Sequence, residues 1–342
     1  MPKTLFLVCG EPSGEAYAAR VARAFRGRFP GVPMEGIGSA LLAAEGVGLL
    51  RDYGDIVLLV DFPDFNFRVG ISAARRGIPV VYYIPPQVWA WRPGRAKTLA
   101  RFTKGAVVLF PFEVEFLRGS GVNAVFAEIA PFLDASPDPG RFGLPAGKRV
   151  VGLLPGSRPG EVAVHLPILL SAAGLLQRRF ADLHFALPVA RPSLRGAIAR
   201  EVAGAGLPVT LVDEGRHLLF RGMAAAMAVS GTVTLELALL GTPAVIVYRT
   251  SWLSYQIGRR LATVDCVGLP NIAAGEKFLP ELIQDDCTPS RIADAVEEIL
   301  ADSTRAGNLR ARGLSLREKL RGPGPAGAVV SMLEKEAAGA WV

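Results

Sequence analysis

The sequence predicts an α/β protein made of two doubly wound parallel sheets in tandem. Three observations carry that reading. Short apolar runs alternate with helical stretches along the chain, each run opens into a loop rich in Gly, Ser, Pro or charge, and a Pro/Gly/Asp-rich break near the middle restarts the pattern. At 342 residues the chain exceeds the size at which one core usually stops growing, so two domains are expected. Half of the residues are apolar, and 38 Gly and 26 Pro punctuate them, a composition of ordered globular protein rather than a fibrous or disordered one.

The first run, Thr4 to Val8, lacks the long apolar segment of a signal peptide and is read as a strand. Gly10-Glu11-Pro12-Ser13-Gly14 follows it and begins a helix. Backbone N–H groups and Ser13 at a helix start suit an anion or sugar hydroxyls; a tight turn with Ser13 as helix cap accounts for the same residues equally well. The spacing is not that of a dinucleotide-binding glycine motif.

The run Ile56 to Val60 ends in Asp61-Phe62-Pro63-Asp64-Phe65-Asn66. Pro63 fixes the turn, which presents Asp64 beyond the strand and keeps Asp61 nearer the sheet. Paired carboxylates here supply a candidate general base for a sugar hydroxyl, and an Asx-type turn is the competing explanation. Val80 to Ile84 leads into Pro85-Pro86-Gln87-Val88-Trp89-Ala90-Trp91-Arg92, followed by Arg95, Lys97, Arg101 and Lys104 on a predicted helix. Aromatic residues beside a basic face suit a membrane interface or base stacking; two core tryptophans under a solvated basic helix fit equally. Ala106 to Phe110 is the next strand. Between Phe67 and Phe112 stand eight basic residues and no acidic one, within a net charge of +7, which favours an anionic partner. Nucleic acid is disfavoured among those partners because no RNP, zinc or helix-turn-helix signature accompanies the charge.

The break from Ala135 to Lys148 sets the expected domains at 1–145 and 146–321, with 322–342 a terminal helix that returns to the first. Strands follow at Val150 to Leu154, Leu183 to Leu187, Val209 to Val212, Ala226 to Val229 and Ala244 to Tyr248. Leu154-Pro155-Gly156-Ser157-Arg158 ends the first of these, and the planar fork of Arg158 is suited to a diphosphate. Ser230-Gly231-Thr232-Val233-Thr234-Leu235-Glu236 joins another strand to an apolar helix. A buried Glu236 needs a partner, either a ribose diol or the local backbone in a cap. The apolar zone Met223 to Tyr248 is broken by Ser230, Gly231, Glu236, Gly241 and Pro243 and is not read as a membrane span. From Pro289 the pattern is helical, and after Gly322-Pro323-Gly324-Pro325 one last helix runs to about Glu336. Cys9, Cys266 and Cys287 are far apart and in no metal-binding spacing, so a reduced cytosolic compartment is expected. No metal and no cofactor are assigned to the chain.

Taken together, GEPSGE at Gly10, DFPDFN at Asp61, PPQVWAWRPGR at Pro85, LFPFE at Leu109, LPGSRPGE at Leu154, SGTVTLE at Ser230 and LPNI at Leu269 resemble the lipid-A-disaccharide synthase family, in matching order. That resemblance implies a GT-B fold, two Rossmann-type domains facing an interdomain cleft. It implies an inverting, metal-independent transfer from UDP-2,3-diacylglucosamine to 2,3-diacylglucosamine 1-phosphate in lipid A biosynthesis, releasing UDP. It also implies a cytoplasmic protein working peripherally on the inner face of the cytoplasmic membrane. Carried over by position, Asp64 is the candidate base; Ser157, Arg158, Ser230, Gly231, Thr232, Glu236 and Asn271 hold UDP; Gly10, Glu11, Ser13 and Gly14 form a cleft loop; and Trp89, Trp91, Arg92 and Arg95 lie near the acceptor and the anionic membrane surface. Three departures stand out. Glu15 occupies the place of the family's Asp, Phe126 to Pro131 carries no histidine where the family has a Gly-His-Pro turn, and Leu50 to Gly54 runs almost directly into Asp55-Ile56-Val57 where the family has a longer helical insertion. They define the competing functions: a GT-B enzyme with another acceptor, or a non-catalytic homologue that binds nucleotide sugar or anionic lipid.

Overall fold

The computed structural model describes residues 4–9, 12–37, 40–49, 55–91, 93–128, 139–251 and 266–336, with backbone alone at 12, 13, 40, 49, 63, 90, 91, 139 and 140. They fall into two compact units, one holding the described parts of Met1–Pro131 and Leu320–Val342, the other those of Phe132–Arg260 and Val264–Lys319.

The first unit runs β1 (Leu5–Cys9), α1 (Pro12–Arg28), β2 (Met34–Ile37), α2 (Ala40–Ala44), β3 (Gly48–Leu49), β4 (Ile56–Val60), α3 (Pro63–Arg75), β5 (Val80–Tyr83), α4 (Val88–Trp91), α5 (Arg95–Phe102), β6 (Gly105–Val108), α6 (Pro111–Gly119) and β7 (Ala124–Phe126). Its sheet is seven-stranded and parallel, in the order β3-β2-β1-β4-β5-β6-β7. β1 and β4 are buried at every residue, which is why they read as unbroken apolar runs. Alternate residues face opposite layers: Phe6, Val8, Val57 and Leu59 join Phe67, Leu99, Phe102 and Leu117 of α3, α5 and α6 in one core. The strand order reverses between β1 and β4, so the loops leaving those two strands flank the switch point where open α/β sheets bind ligands.

The second unit runs β8 (Arg149–Leu154), α7 (Pro159–Arg179), β9 (Leu183–Pro188), α8 (Arg195–Ala205), β10 (Val209–Val212), α9 (Arg216–Arg221), β11 (Ala225–Val229), α10 (Thr232–Leu239), β12 (Ala244–Tyr248), α11 (Leu269–Ala274), β13 (Glu281–Ile283), α12 (Pro289–Ala301) and α13 (Ser303–Lys319). The sheet order is β10-β9-β8-β11-β12-β13, parallel throughout, with its reversal between β8 and β11. By length and composition α7 is apolar enough to cross a membrane, but Leu166, Leu169, Leu170, Ala172, Ala173 and Leu176 are buried, and the helix packs on β8, β9, α8 and α12 as a core helix does. The last helix, α14 (Pro325–Glu336), belongs to the first unit: it packs on α1, Arg28 pairs with Glu334 at 3.2 Å, and Gly105 leaves the space that the Met332 thioether fills.

Two features differ from the sequence reading. The predicted basic helix is α5, which holds Arg95, Lys97 and Arg101 but ends before Lys104, and Pro93 and Gly94 separate it from the short α4 that carries Trp89. Strands β2, β3, β7 and β13 were not predicted; each has four residues or fewer, too short for a clear period.

α13 crosses α10 so closely that a side-chain carbon on Gly313 would collide with the backbone carbonyl of Ala238. Gly313→Ala is therefore expected to cost about 1–3 kcal/mol, the usual penalty of overpacking, read as a lower midpoint in denaturant unfolding. A parental midpoint would show that the two helices separate freely.

Candidate functional site

In the first unit the polypeptide leaving β4 turns through two left-handed residues, Asp61 (φ 51°) and Phe62 (φ 49°), neither of them glycine. Such conformations cost on the order of 1–3 kcal/mol each and persist only where the surroundings impose them. Pro63 then opens α3, a favoured place for proline, and Asp64 lies in the first turn, where the helix dipole favours a negative charge. The Asp64 side chain is 86% exposed and pairs with Arg95 Nη2 at 3.2 Å, while the Arg95 guanidinium lies 4.5 Å over the Phe67 ring. The result is a solvent-accessible carboxylate on a fixed turn with one cation beside it. Gly14 packs against the same turn: a Cβ there would stand 3.1 Å from Cys9 Sγ and 3.2 Å from Asp61 Cβ. The first helix and the DFPDFN turn thus meet at the sheet's switch point. Gly10 and Glu11 lie outside the described residues, as does the side chain of Ser13, whose backbone is helical.

Trp89 is tied inward. Its indole Nε1 donates to Glu113 Oε1 at 2.8 Å, and its ring meets Phe112 edge-on at 4.9 Å. Glu113 is buried and also accepts from the Phe110 backbone N–H at 3.1 Å, and desolvation pushes its carboxyl up to about 7. Trp89 is half-buried; Arg92 and the side chain of Trp91 lie outside the described residues. The role of Glu113 was missed, although LFPFE contains it, because its partner is 24 residues away.

In the second unit Gly156 takes φ 106° after β8, and Glu161 folds back to accept from the N–H groups of Ser157 (3.0 Å) and Arg158 (3.3 Å). Glu161 also pairs with Arg158 Nη1 at 3.2 Å, and the Arg158 side chain stays 57% exposed. A carboxylate therefore already occupies the backbone donors that the sequence offered to an anion. The signal was present in the three-residue spacing from Arg158 to Glu161 at a helix start. One turn on, buried His165 bridges two strand ends: Nδ1 donates to the Glu161 carbonyl at 2.7 Å and Nε2 accepts from the Arg249 N–H at 2.9 Å. Burial lowers its pKa, which keeps the ring neutral with its proton on Nδ1. The Tyr248 ring packs 5.7 Å from that imidazole.

After β11, Ser230 Oγ donates to the Val267 carbonyl at 2.9 Å, Gly231 precedes α10, and Thr232 begins it. Glu236 is buried, as predicted, and its side chain is held by two residues of α9 rather than by the local backbone of a cap: Arg216 Nη2 reaches Oε1 at 3.0 Å and His217 Nε2 meets Oε2 at 3.2 Å. Arg216 and His217 were missed because they approach from a different helix. Asn271 needs a correction. Its Nδ2 donates to Leu279 O (2.9 Å) and Glu281 Oε1 (2.7 Å), and its Oδ1 accepts from the N–H groups of Phe278 (3.1 Å) and Leu279 (2.9 Å). With both donors and both acceptor positions engaged and no exposed surface, Asn271 holds the loop and offers nothing to a nucleotide. Glu281 anchors that loop further by accepting from the N–H groups of Val267 (3.1 Å) and Gly268 (2.9 Å).

A family model described as lipid-A-disaccharide synthetase matches residues 48–322. A lipid-A-disaccharide synthase from Geobacter sulfurreducens is 38% identical over 375 aligned positions, which cover 97% of this chain and 98% of that protein. Among solved structures, a UDP-GlcNAc 2-epimerase from Neisseria meningitidis bound to UDP-GlcNAc matches with a TM-score of 0.66 at 12% identity, over 97% of this chain and 100% of its own. MurG from Acinetobacter baumannii matches with a TM-score of 0.60 at 14% identity, over 98% and 100%. At such identities the likeness is one of fold, and the fold is the GT-B arrangement of two Rossmann-type units.

A carboxyl raised from 4.5 to about 7 on folding is protonated in the native chain and ionised in the unfolded one across that window, so its contribution to stability falls as pH climbs through it. Glu113→Gln keeps an acceptor for Trp89 and removes the titration. The variant should show a flatter stability profile between those two pH values in denaturant unfolding; an unaltered slope would mean that Glu113 titrates normally.

Proposed function

The chain belongs to the lipid-A-disaccharide synthase family, and on that premise we propose that it is an inverting glycosyltransferase joining 2,3-diacylglucosamine from its UDP donor to 2,3-diacylglucosamine 1-phosphate. The observation that carries the reading is topological: Arg158 and Glu236 follow β8 and β11, the adjacent strands between which the second sheet reverses its order. Arg158 pairs with the diphosphate in exchange for Glu161. Ser157, Ser230, Gly231 and Thr232 line the donor site, and Glu236 accepts from the ribose diol while Arg216 and His217 fix its orientation. A neighbour of the same fold, the N. meningitidis epimerase, carries UDP-GlcNAc, which supports a UDP-sugar donor.

In the first unit Asp64 is the base. The acceptor hydroxyl attacks the anomeric carbon, the bond to the diphosphate oxygen breaks with its electron pair leaving on UDP, and the hydroxyl proton passes to the Asp64 carboxylate. Arg95 orients that carboxylate until the acceptor arrives. Trp89, Trp91 and Arg92 belong to the acceptor side, next to an anionic membrane surface on the cytoplasmic side, with Gly14 keeping the first helix against the Asp61 turn.

Asp64→Asn is expected to lower turnover by roughly 100- to 10,000-fold, the usual worth of a general base, and to leave UDP affinity unchanged in calorimetry. Arg158→Ala should do the opposite, weakening UDP by about 1.5–3 kcal/mol, the scale of a charge-assisted hydrogen bond. Near-parental turnover in Asp64→Asn removes the base, and UDP binding with no turnover of the parent on either acylated sugar turns the reading to a binding homologue.

Lys97 and Arg101 lie on the exposed face of α5, opposite Ala96, Leu99 and Phe102. Changing both to Gln should weaken association with phosphatidylserine vesicles by about 1 kcal/mol per residue at low salt. Equal vesicle binding by the parent and the double variant would exclude this helix from the membrane contact.

A further inference from the structure

The turn that presents Asp64 runs against the preference of its own residues, and one buried side chain opposes its relaxation. Asp61 and Phe62 are consecutive left-handed residues, each carrying a Cβ. Asn66, in the second turn of α3, has no exposed surface; its Nδ2 donates to the Val60 carbonyl at 3.2 Å and to the Asp61 carbonyl at 2.7 Å. Its buried Oδ1 accepts no hydrogen bond among the described residues, so what the amide contributes here is its two donors. Only an NH2 group can face two carbonyls, which settles the orientation of the side chain. From β5, Tyr82 adds a third bond: its hydroxyl donates to the same Asp61 carbonyl at 2.9 Å. On the other side of the residue, the Asp61 N–H donates to the Tyr83 carbonyl at 3.0 Å.

The Asp61 carbonyl thus has two donors on it, and the peptide linking Asp61 to Phe62 cannot rotate without abandoning both. Asp64 stands two residues further on, in the first turn of α3, so the placement of its carboxylate is set by that peptide. We infer that Asn66 is a positioning residue for Asp64: its amide, assisted by the Tyr82 hydroxyl, locks residues 61 and 62 in the left-handed conformation that aims the base. This rests on Asp64 being the base.

The experiment uses the full chain and measures kcat and KM with the UDP donor and acylated monophosphate, UDP affinity by calorimetry, and melting temperature. Asn66→Asp replaces the two donors by an isosteric acceptor. Its expected result is a kcat lower by roughly 10- to 100-fold, the cost of a displaced catalytic group, with UDP affinity unchanged. Tyr82→Phe removes one of three bonds and should lose several-fold less. The decisive variant adds Phe62→Gly to Asn66→Asp. Glycine adopts the left-handed conformation without being forced, so the double variant should regain most of the lost kcat and melt above Asn66→Asp alone. A side chain that merely filled the core would be helped by neither change.

Parental kcat in Asn66→Asp, together with an inactive Asp64→Asn, overturns the positioning role while leaving the base in place. A Phe62→Gly effect on melting that is the same in both backgrounds overturns the lock itself. If instead Asp64→Asn retains parental turnover, the base assignment fails, and that failure is read from Asp64 alone.

Discussion

Parallel strands covered on both faces have no side chain to spare for chemistry. Every residue of Leu5–Cys9, Ile56–Val60 and Ala225–Val229 is buried. The backbone of each is satisfied by its neighbours, and its side chains by the helices above and below. Polar groups can enter only where pairing stops, at the carboxyl ends, and there they stand close to the core. Burial therefore governs the whole site: a polar group in such a position must find a partner or be excluded from the sequence.

The partners explain the layout. Glu161 satisfies the N–H groups of Ser157 and Arg158, Glu236 is held by Arg216 and His217, Glu113 takes the indole of Trp89, and Asn66 covers two carbonyls at a strand end. These pairs differ in what a ligand can do to them. Arg158 is more than half exposed, so its pairing with Glu161 can be exchanged at little cost, exposed ion pairs contributing at most about 1 kcal/mol. Asn271, by contrast, has no exposed surface and every hydrogen-bonding position filled, which makes it part of the frame. Exposure, rather than residue type or motif membership, separates Arg158, which is free to exchange its partner, from Asn271, which is fixed.

That distinction also marks what was legible in the sequence. The long strands were, because burial on both faces writes itself as a continuous apolar run; β2 was not, since Met34–Ile37 lies toward the sheet edge and mixes buried with exposed positions. The strand-end loops were legible as chemistry-bearing segments, and Glu236 as a buried carboxylate. Its partners Arg216 and His217 lie 20 and 19 residues away, and Trp89 and Glu113 lie 24 apart, so no local period joins them. The left-handed pair at Asp61 and Phe62 was hidden for a different reason: neither residue is glycine, Phe62 disfavours that conformation, and the hydrogen bonds to the Asp61 carbonyl that hold it are tertiary.

This chain lacks residues that a relative aligned over nearly its whole length has. The 375 positions aligned with the G. sulfurreducens relative exceed the 342 residues available, so at least 33 of them are gaps on this side. All seven strands of the first sheet are nevertheless present. β3 ends at Leu49 and β4 begins at Ile56, on the far side of β2 and β1. Three strand spacings amount to about 14 Å, and a six-residue link reaches about 20 Å when extended. Six residues, 50–55, separate the two strands, where the family resemblance implies a longer helical insertion. The next loops at the same sheet edge are those after β4 and β5, where Phe65 stands 40% exposed beside Phe62 and the fixed turn holds out Asp64. The convergence of Asn66 and Tyr82 on one carbonyl makes that turn rigid.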